Sequence, residues 1–230
     1  MSQILDNPVW HALTGPNAEF AIGSGLARHF PRDMAPFSAI AAATPAAYAD
    51  LAVGLPAGAE ARLFRPFDEP LPEDWVPIDA FPMLQMVAGE TSPGQSGNLA
   101  PVGLTTGDVG AMMELAAIAK PGPFGALTPR FGTYLGIREG SRLIAMAGER
   151  MRVPGFVELS AICTHPDARG RGLAAHLTAL LMKAARDRGE VPFLHVRPEN
   201  EAAVLLYQRL GFAVRRTIWI LWRKPAVQPA

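Results

Sequence analysis

The chain has 230 residues, 49% hydrophobic and 18% charged, which is enough to bury a sizeable core in one large or two small domains. Lys plus Arg and Asp plus Glu each number 21, a balance that gives no bias toward nucleic acid or an anionic membrane surface. No stretch approaches the ~20 apolar residues of a membrane span, no secretory signal is evident, and Cys163 has no second cysteine to pair with. We therefore expect a cytoplasmic globular protein whose partner is a small molecule.

Residues 1–95 are predicted to form a small α+β region. Alternation around Gly23-Ser24-Gly25 predicts a β-hairpin over residues 17–30. Thr44 and Pro45 are typical of the start of a helix, as N-cap and first helical residue. Residues 61–64 and 83–87 read as strands. Histidines and tryptophan in this region show no metal-ligand spacing, and we expect them to pack or lie at the surface.

The polar segment 91–98, rich in Gly and Ser, is the best candidate for a linker between this region and a second domain over residues 100–225. Thr106 is predicted to cap a helix near residues 108–119, and residues 124–133 to form an irregular loop or short helix. Two strands over residues 134–138 and 142–151 follow, joined by a hairpin turn.

Residues 155–164 are apolar or small at most positions, which predicts a strand buried on both faces. Pro166 ends it, and a helix of about five turns follows and stops at Gly189. The rest of the chain predicts a short strand over residues 192–196, a helix over 199–210 and one or two strands over 213–222. The resulting prediction is a mixed α/β sheet with helices on both faces.

The turn before the long helix has the features of an anion site. No acidic residue occurs from Arg169 to Arg186, so the unpaired N–H groups and positive dipole of the helix start lack an internal partner. Gly170 and Gly172 allow a sharp bend and close approach of a phosphate to the backbone. A plain glycine turn with solvated arginines is the alternative reading, and neither a P-loop nor a dinucleotide-binding G-x-G-x-x-G sequence is present.

Two motifs in this half resemble those of the GCN5-related N-acetyltransferase (GNAT) family. Residues 169–174 (RGRGLA) fit R/Q-x-x-G-x-G/A, and residues 200–212 (NEAAVLLYQRLGF) fit N-x-x-A-x-x-x-Y-x-x-x-G-F. The resemblance covers roughly residues 100–225 and is nearest to the glycine-N-acyltransferase-like branch. It implies the GNAT fold, a mixed and mostly antiparallel sheet flanked by helices. A double fold occurs in that branch, so residues 1–95 are compatible with a degenerate GNAT-like half.

The resemblance implies acetyl-CoA as co-substrate, and no metal. The backbone of the strand before the turn would pair with the pantetheine arm, and one of its amides could stabilise the oxyanion. The turn would hold the pyrophosphate, and an asparagine would help fix the cofactor. The implied cofactor-binding residues are Ile162, Cys163, Thr164, Arg169, Gly170, Arg171, Gly172, Leu173, Ala174 and Asn200.

Two residues are candidates for proton transfer. Tyr207 within its motif is the predicted general acid, because a phenol is protonated at neutral pH and roughly matches a departing thiolate. Glu158 is the candidate base, since burial would raise its pKa toward the working range, with a structural glutamate and a water chain as alternatives. Cys163 has no activating partner in the sequence, so direct transfer is expected. We assign His165 to a loop or a proton relay, and His176 and His195 to structural roles.

The sequence thus predicts an acyl-CoA-dependent N-acyltransferase that moves acetyl directly to the amine of a small molecule or amino acid. A CoA-binding sensor without turnover and a protein or peptide N-acetyltransferase are the alternatives. We expect no nucleic-acid or membrane partner and a monomer or homodimer. The acceptor is not readable from the sequence, although residues 124–133, the hairpin near Glu139 and the N-terminal half are the regions expected to set acceptor specificity.

Overall fold

The computed structural model describes residues 3–90 and 100–226, and ten strands and five α-helices are found in this part of the chain. The strands are β1 Ala27–His29, β2 Ser38–Ile40, β3 Ala61–Arg65, β4 Trp75–Ala88, β5 Val102–Leu104, β6 Tyr134–Glu139, β7 Arg142–Val153, β8 Phe156–Thr164, β9 Val191–Val196 and β10 Phe212–Pro225. The helices are α1 Pro8–Leu13, α2 Pro45–Gly54, α3 Val109–Ala119, α4 Leu173–Asp187 and α5 Glu201–Arg209.

Eight strands form one sheet in the order β3-β10-β4-β9-β8-β7-β6-β5, and β1 and β2 form a separate pair. Every neighbouring pair in the large sheet is antiparallel except β8 and β9, which are parallel. The predicted mixed, mostly antiparallel sheet flanked by helices is therefore confirmed. The parallel pair is possible because α4 crosses between its two strands.

The two faces of the sheet are covered by different parts of the chain. On one face α4 and α5 pack Leu177, Leu181 and Leu210 against Met86 and Leu194. On the other face the N-terminal segment with α1 packs against strand residues that alternate with the first set, Phe64, Phe193 and Ile218 among them. The N-terminal segment therefore forms a layer that packs against the second face of the sheet.

Strands from before the predicted linker lie inside the large sheet. β4 pairs with β9 and β10, and β3 pairs with β10. The linker itself, residues 91–98, lies outside the described residues. The division into regions 1–95 and 100–225 stays a prediction.

Two predictions from local sequence are confirmed, the cap of α2 and the turn between β6 and β7. Thr44 accepts a hydrogen bond from the Ala47 amide at the start of α2, with Pro45 as its first residue. The turn between β6 and β7 places Gly140 at φ 59°. The predicted hairpin at residues 17–30 is reduced to one bridge between Ile22 and His29, because β1 pairs with β2 instead.

One further detail differs from the sequence prediction. Thr106, the predicted cap, is instead the first residue of a short 3-10 helix, Thr106–Asp108, that leads into α3. This short helix is capped by Thr105, whose hydroxyl accepts a hydrogen bond from the Gly107 amide. Among the described residues, no helix has the length and apolar character that a membrane crossing requires.

Candidate active site

The parallel strands β8 and β9 separate part of the way along their length. Within the described chain they pair at three positions, Phe156 with Val191, Val157 with Pro192 and Glu158 with Phe193. Beyond this point β8 continues to Thr164 and β9 to Val196, but the two strands no longer pair with each other. A bulge in β8, with Ala161 at φ 52° and a register shift against β7, accompanies the separation. The sheet therefore opens where β8 and β9 diverge.

A cavity of about 1090 Å³ passes through this opening. It is lined by Ala175 and Leu206 from the face covered by α4 and α5, and also by Phe64 and Ile220, which pack in the core of the other face. We divide it into a cradle half (Ile162–Thr164, Arg169–Ala174, Asn200 and Tyr207) and an aromatic half (Arg62, Phe64, Asp79, Phe81, Arg197 and Trp222). The opening connects the two halves.

The cradle half is built around the start of α4. The first hydrogen bond of this helix runs from the His176 amide to the Gly172 carbonyl, so the amides of residues 173–175 precede the helical ladder. Neither a side-chain cap nor an acidic residue is present in the first turn. These free donors and the positive helix terminus favour an anion at this end of the cavity.

The two glycines of the turn are required by backbone conformation. Gly170 has φ 76° and Gly172 has φ 73°, and a Cβ at either position would meet no heavy atom within 4 Å. Left-handed backbone therefore favours glycine here, while the space above it is open. Arg171 forms an ion pair of 2.7 Å with Glu139 of the β6–β7 turn, and both side chains are well exposed. Solvent weakens such a pair, so Arg171 can exchange Glu139 for another anion.

All ten residues predicted to bind the cofactor line this cavity. Asn200 also caps α5, since its side-chain oxygen accepts a hydrogen bond of 3.2 Å from the Ala203 amide. His165, outside the lining, accepts from the Asp167 amide and contacts Arg142. None of residues 124–133, which were predicted to contribute to the acceptor pocket, lines this cavity, whereas residues 119–123 do. Thr128 of that loop is instead tied to Met34 by a hydrogen bond of 2.7 Å.

Tyr207 lies on α5 with its ring 6.0 Å from that of Phe212, and its side chain is buried at the cavity wall. Burial, and secondarily the neighbouring Cys163 thiol, raises the pKa of Tyr207 to about 12. Burial also raises the pKa of Cys163 to about 12. Both groups therefore hold their protons at neutral pH, so Tyr207 can donate a proton and Cys163 is a thiol rather than a nucleophilic thiolate.

Glu158 is fully buried behind the cavity wall. Arg150 donates to both carboxylate oxygens, at 2.6 Å from Nε and 2.5 Å from Nη2, and His195 Nδ1 lies 2.7 Å from Oε1. Burial alone would raise the pKa of Glu158, but the Arg150 guanidinium and the His195 hydrogen bond lower it to about 2. The expectation of a raised pKa was therefore wrong, because the sequence did not reveal these two partners.

His195 continues this network away from Glu158. Its Nε2 lies 3.0 Å from the Gln85 side-chain nitrogen, which also donates to the Leu5 carbonyl at 2.8 Å. Arg215 donates to the Gln85 oxygen, so the amide nitrogen of Gln85 is the donor to His195. His195 Nε2 therefore accepts the hydrogen bond from Gln85, and its protonated Nδ1 donates a hydrogen bond to Glu158. The network joins the N-terminal segment to β4, β7, β8 and β9.

The aromatic half carries two arginines that sequence reasoning missed. The Arg62 guanidinium lies 3.9 Å from the centre of the Trp222 ring, and that of Arg197 lies 3.7 Å from the centre of the Phe81 ring. Arg62 lies on β3 and Arg197 directly follows β9, far away in the chain, so no local spacing could have grouped them. In the residues that the structure describes, no set of His, Cys, Asp and Glu side chains could hold a metal ion.

The structure combines a mixed sheet that opens between two parallel strands with a helix start that has no side-chain cap, and comparison with known proteins gives the family. Residues 134–220 match the family described as FR47-like protein. A GNAT-family acetyltransferase structure from Novosphingobium aromaticivorans is 38% identical, with a TM-score of 0.89 over 98% of this chain and 100% of that one. The chain belongs to the GNAT family.

Curated relatives match over part of the chain. The N-alpha-acetyltransferase RimI of Mycobacterium tuberculosis is 40% identical over 82 residues, which is 34% of this chain and 51% of that protein. The mycothiol acetyltransferase of Paenarthrobacter aurescens is 42% identical over 60 residues, 26% of this chain and 19% of that protein. The chain thus spans about half the length of the first relative and about a fifth of the second.

Proposed function

We propose that this protein is an acetyl-CoA-dependent N-acyltransferase that transfers acetyl directly to the amine of a small molecule or an amino acid. The observation that carries the proposal is the single cavity through the β8–β9 opening. It joins an anion cradle on one face of the sheet to a separate aromatic half on the other. A two-substrate reaction needs such an arrangement, since each substrate can reach the opening from its own side.

The cradle half fits the co-substrate. The amides of residues 173–175, together with Arg169 and Arg171, would hold the pyrophosphate. The unpaired edge of β8 at Ile162, Cys163 and Thr164 would hydrogen-bond the pantetheine arm, and Asn200 would help to fix the cofactor. Bound acetyl-CoA supplies an activated thioester carbonyl, and a β8 amide would stabilise the charge that develops on its oxygen.

Tyr207 is proposed as the general acid for the departing thiolate, because it is protonated and lines the cavity. We assign Glu158 a positioning role instead of the base, because its carboxylate stays ionised, is fully buried and is occupied by Arg150 and His195. The amine would then lose its proton to water. The protonated Cys163 supports direct transfer without an acyl-cysteine.

The test is thermal stabilisation by acetyl-CoA together with release of free CoA across an amine panel. Ligand at about a hundred times its Kd should raise Tm by about 5–10 °C. Arg171→Glu should reduce this shift in Tm. Arg130→Glu makes the same charge change at a residue that stacks on Phe20 and does not line the cavity, so it should leave the shift unchanged. The proposal fails if acetyl-CoA at millimolar concentration gives no shift. Binding without CoA release from any amine would indicate a sensor.

The identity to RimI favours a second candidate function, N-acetylation of a peptide or protein N-terminus. Comparison of CoA release with N-terminal peptides and with free amino acids separates the two. If peptides are used at least tenfold more efficiently, the second function replaces the first.

Several finer proposals remain from the sequence. They are membership of the glycine-N-acyltransferase-like branch, a catalytic domain over residues 100–225 preceded by the region 1–95, a cytoplasmic location, and a monomer or homodimer. The contribution of β3 and β4 to the cavity leads us to propose that the N-terminal region forms part of the acceptor site.

A further inference from the structure

We propose that the aromatic half selects amines that also carry a carboxylate, and that Arg62 and Arg197 bind this carboxylate. The acceptor class would be free amino acids, and polyamines and aminoglycosides would be excluded. This inference rests on the proposed acetyl transfer and goes further, because it names the acceptor and the residues that recognise it.

The strand register places Trp222 and Phe81, the two rings on which the arginines stack, next to each other in the sheet. Trp222 of β10 pairs with Arg62 of β3 and with Asp79 of β4, and two residues earlier Ile220 pairs with Phe81. Trp222 and Phe81 are thus diagonal neighbours on one face of the sheet, with Cβ atoms about 7–8 Å apart. The guanidinium groups stacked on these two rings both line the same cavity.

Stacking fixes these guanidinium groups without using their hydrogen-bond donors. An aromatic ring covers one flat face of each group, and the N–H donors radiate from its edge. Within the described chain, neither Arg62 nor Arg197 forms an ion pair with a carboxylate. Glu60, the acid near Arg62, accepts a hydrogen bond of 2.8 Å from Trp222 and so helps to hold the ring. The two arginines are oriented and available for a bidentate anion.

The charge of the cavity favours an anionic acceptor over a cationic one. Asp79 is the only acidic residue among its described lining residues. Arg150, stacked 4.8 Å from the Phe37 ring centre, is neutralised by Glu158, but Arg62, Arg197 and Lys120 are not neutralised in this way. A polycation would meet repulsion here, whereas an amino acid can place its carboxylate on the arginines and its amine toward the opening. Phe64, Met83 and Ile220 offer an apolar surface for its side chain.

The experiment compares acceptors that differ only in the carboxylate: glycine with glycinamide, and L-leucine with L-leucinamide, with spermidine as the polycation. Loss of the carboxylate lowers the pKa of the amine, so any chemical bias favours the amides. We expect the acids to have a kcat/KM about tenfold or more above the amides, and spermidine to be a poorer substrate than either. Titration of the same ligands into CoA-saturated protein gives a readout that does not need turnover.

Variants assign the effect to the two arginines. Arg62→Gln and Arg197→Gln should each raise KM for L-leucine about tenfold while leaving KM for acetyl-CoA and for leucinamide nearly unchanged. Arg130→Gln, which removes a ring-stacked arginine outside the cavity, should change none of these. The inference is overturned if amides bind and react as well as acids, if peptides are preferred, or if the variants affect both ligands equally. Failure of the proposed function is distinct, since it would appear as absent stabilisation by acetyl-CoA.

Discussion

The two halves of the cavity are built on different principles. The cradle half uses backbone amides, two glycines and a helix start that follow one another along the chain. The aromatic half uses side chains from segments that meet only in the sheet, and its Trp222 is hydrogen-bonded to Glu60 although the two residues are 162 positions apart. A site made of local backbone leaves a motif in the sequence, whereas a site made of side chains from distant strands does not.

Tyr207 lies in the cradle half, and its removal tests whether this half supplies chemistry as well as binding. Tyr207→Phe removes the proposed proton donor and should lower kcat by about 100–10,000-fold with little change in KM for acetyl-CoA. Steady-state release of free CoA measures both quantities. Because the pKa of Tyr207 is raised to about 12, the wild-type kcat should show no loss of this acid between pH 7 and 10.

Tyr134→Phe is the matched control, because its buried hydroxyl also lacks a hydrogen-bond partner and it does not line the cavity. It should keep kcat. Equal loss in both variants, or a fully active Tyr207→Phe, would remove Tyr207 from the chemistry and leave the cradle half a binding element.

Glu158→Gln tests the buried network behind the aromatic half, where the ring centre of His195 lies 5.0 Å from that of Phe64. It leaves Arg150 buried without its carboxylate and should lower the free energy of unfolding by about 3–5 kcal/mol at pH 7. The folded pKa of about 2 lies below the ordinary value of 4.5, so the unfolded state takes up the proton first as the pH falls. The wild-type stabilisation is therefore complete above about pH 4.5 and is lost between there and pH 2, and the variant should lack this slope.

Urea unfolding at pH 7, 4 and 3 measures the effect. Glu190→Gln removes a partly exposed carboxylate paired with Arg152 and Arg188, and should cost about 1 kcal/mol or less. A Glu158→Gln variant with wild-type stability and the same pH slope would mean that the network does not hold the aromatic half together.

The smallest expected effect comes from the glycines. Gly172→Ala and Gly189→Ala both place a side chain at positive φ, 73° and 76°, in open space, so each should lower stability by about 1–2 kcal/mol. Only Gly172→Ala should also weaken the binding of acetyl-CoA, with a Kd raised a few-fold to about tenfold, because Gly172 lies in the cradle half and Gly189 does not. Calorimetric titration with acetyl-CoA distinguishes them, and equal Kd values would argue against anion binding at this turn.

Prediction from the sequence was reliable where one short segment carries the structure. The β6–β7 hairpin, the α2 cap and the strand, turn and helix around residues 155–189 were all anticipated, because periodicity, proline and glycine act within a few residues. It was unreliable for the 17–30 hairpin and for the pKa of Glu158. In both, a partner on another strand decided the outcome: β2 for the first, and for the second chiefly Arg150 of β7, together with His195 of β9.

The sequence by itself determined the turn and the uncapped helix start of the cradle half, since glycines and the absence of an acidic residue act within a few positions of the chain. Only the tertiary structure decided the opening between β8 and β9, the ionised state of Glu158 and the pair of ring-stacked arginines. These depend on strand order and register, which bring together residues whose spacing along the chain carries no signal of their contact.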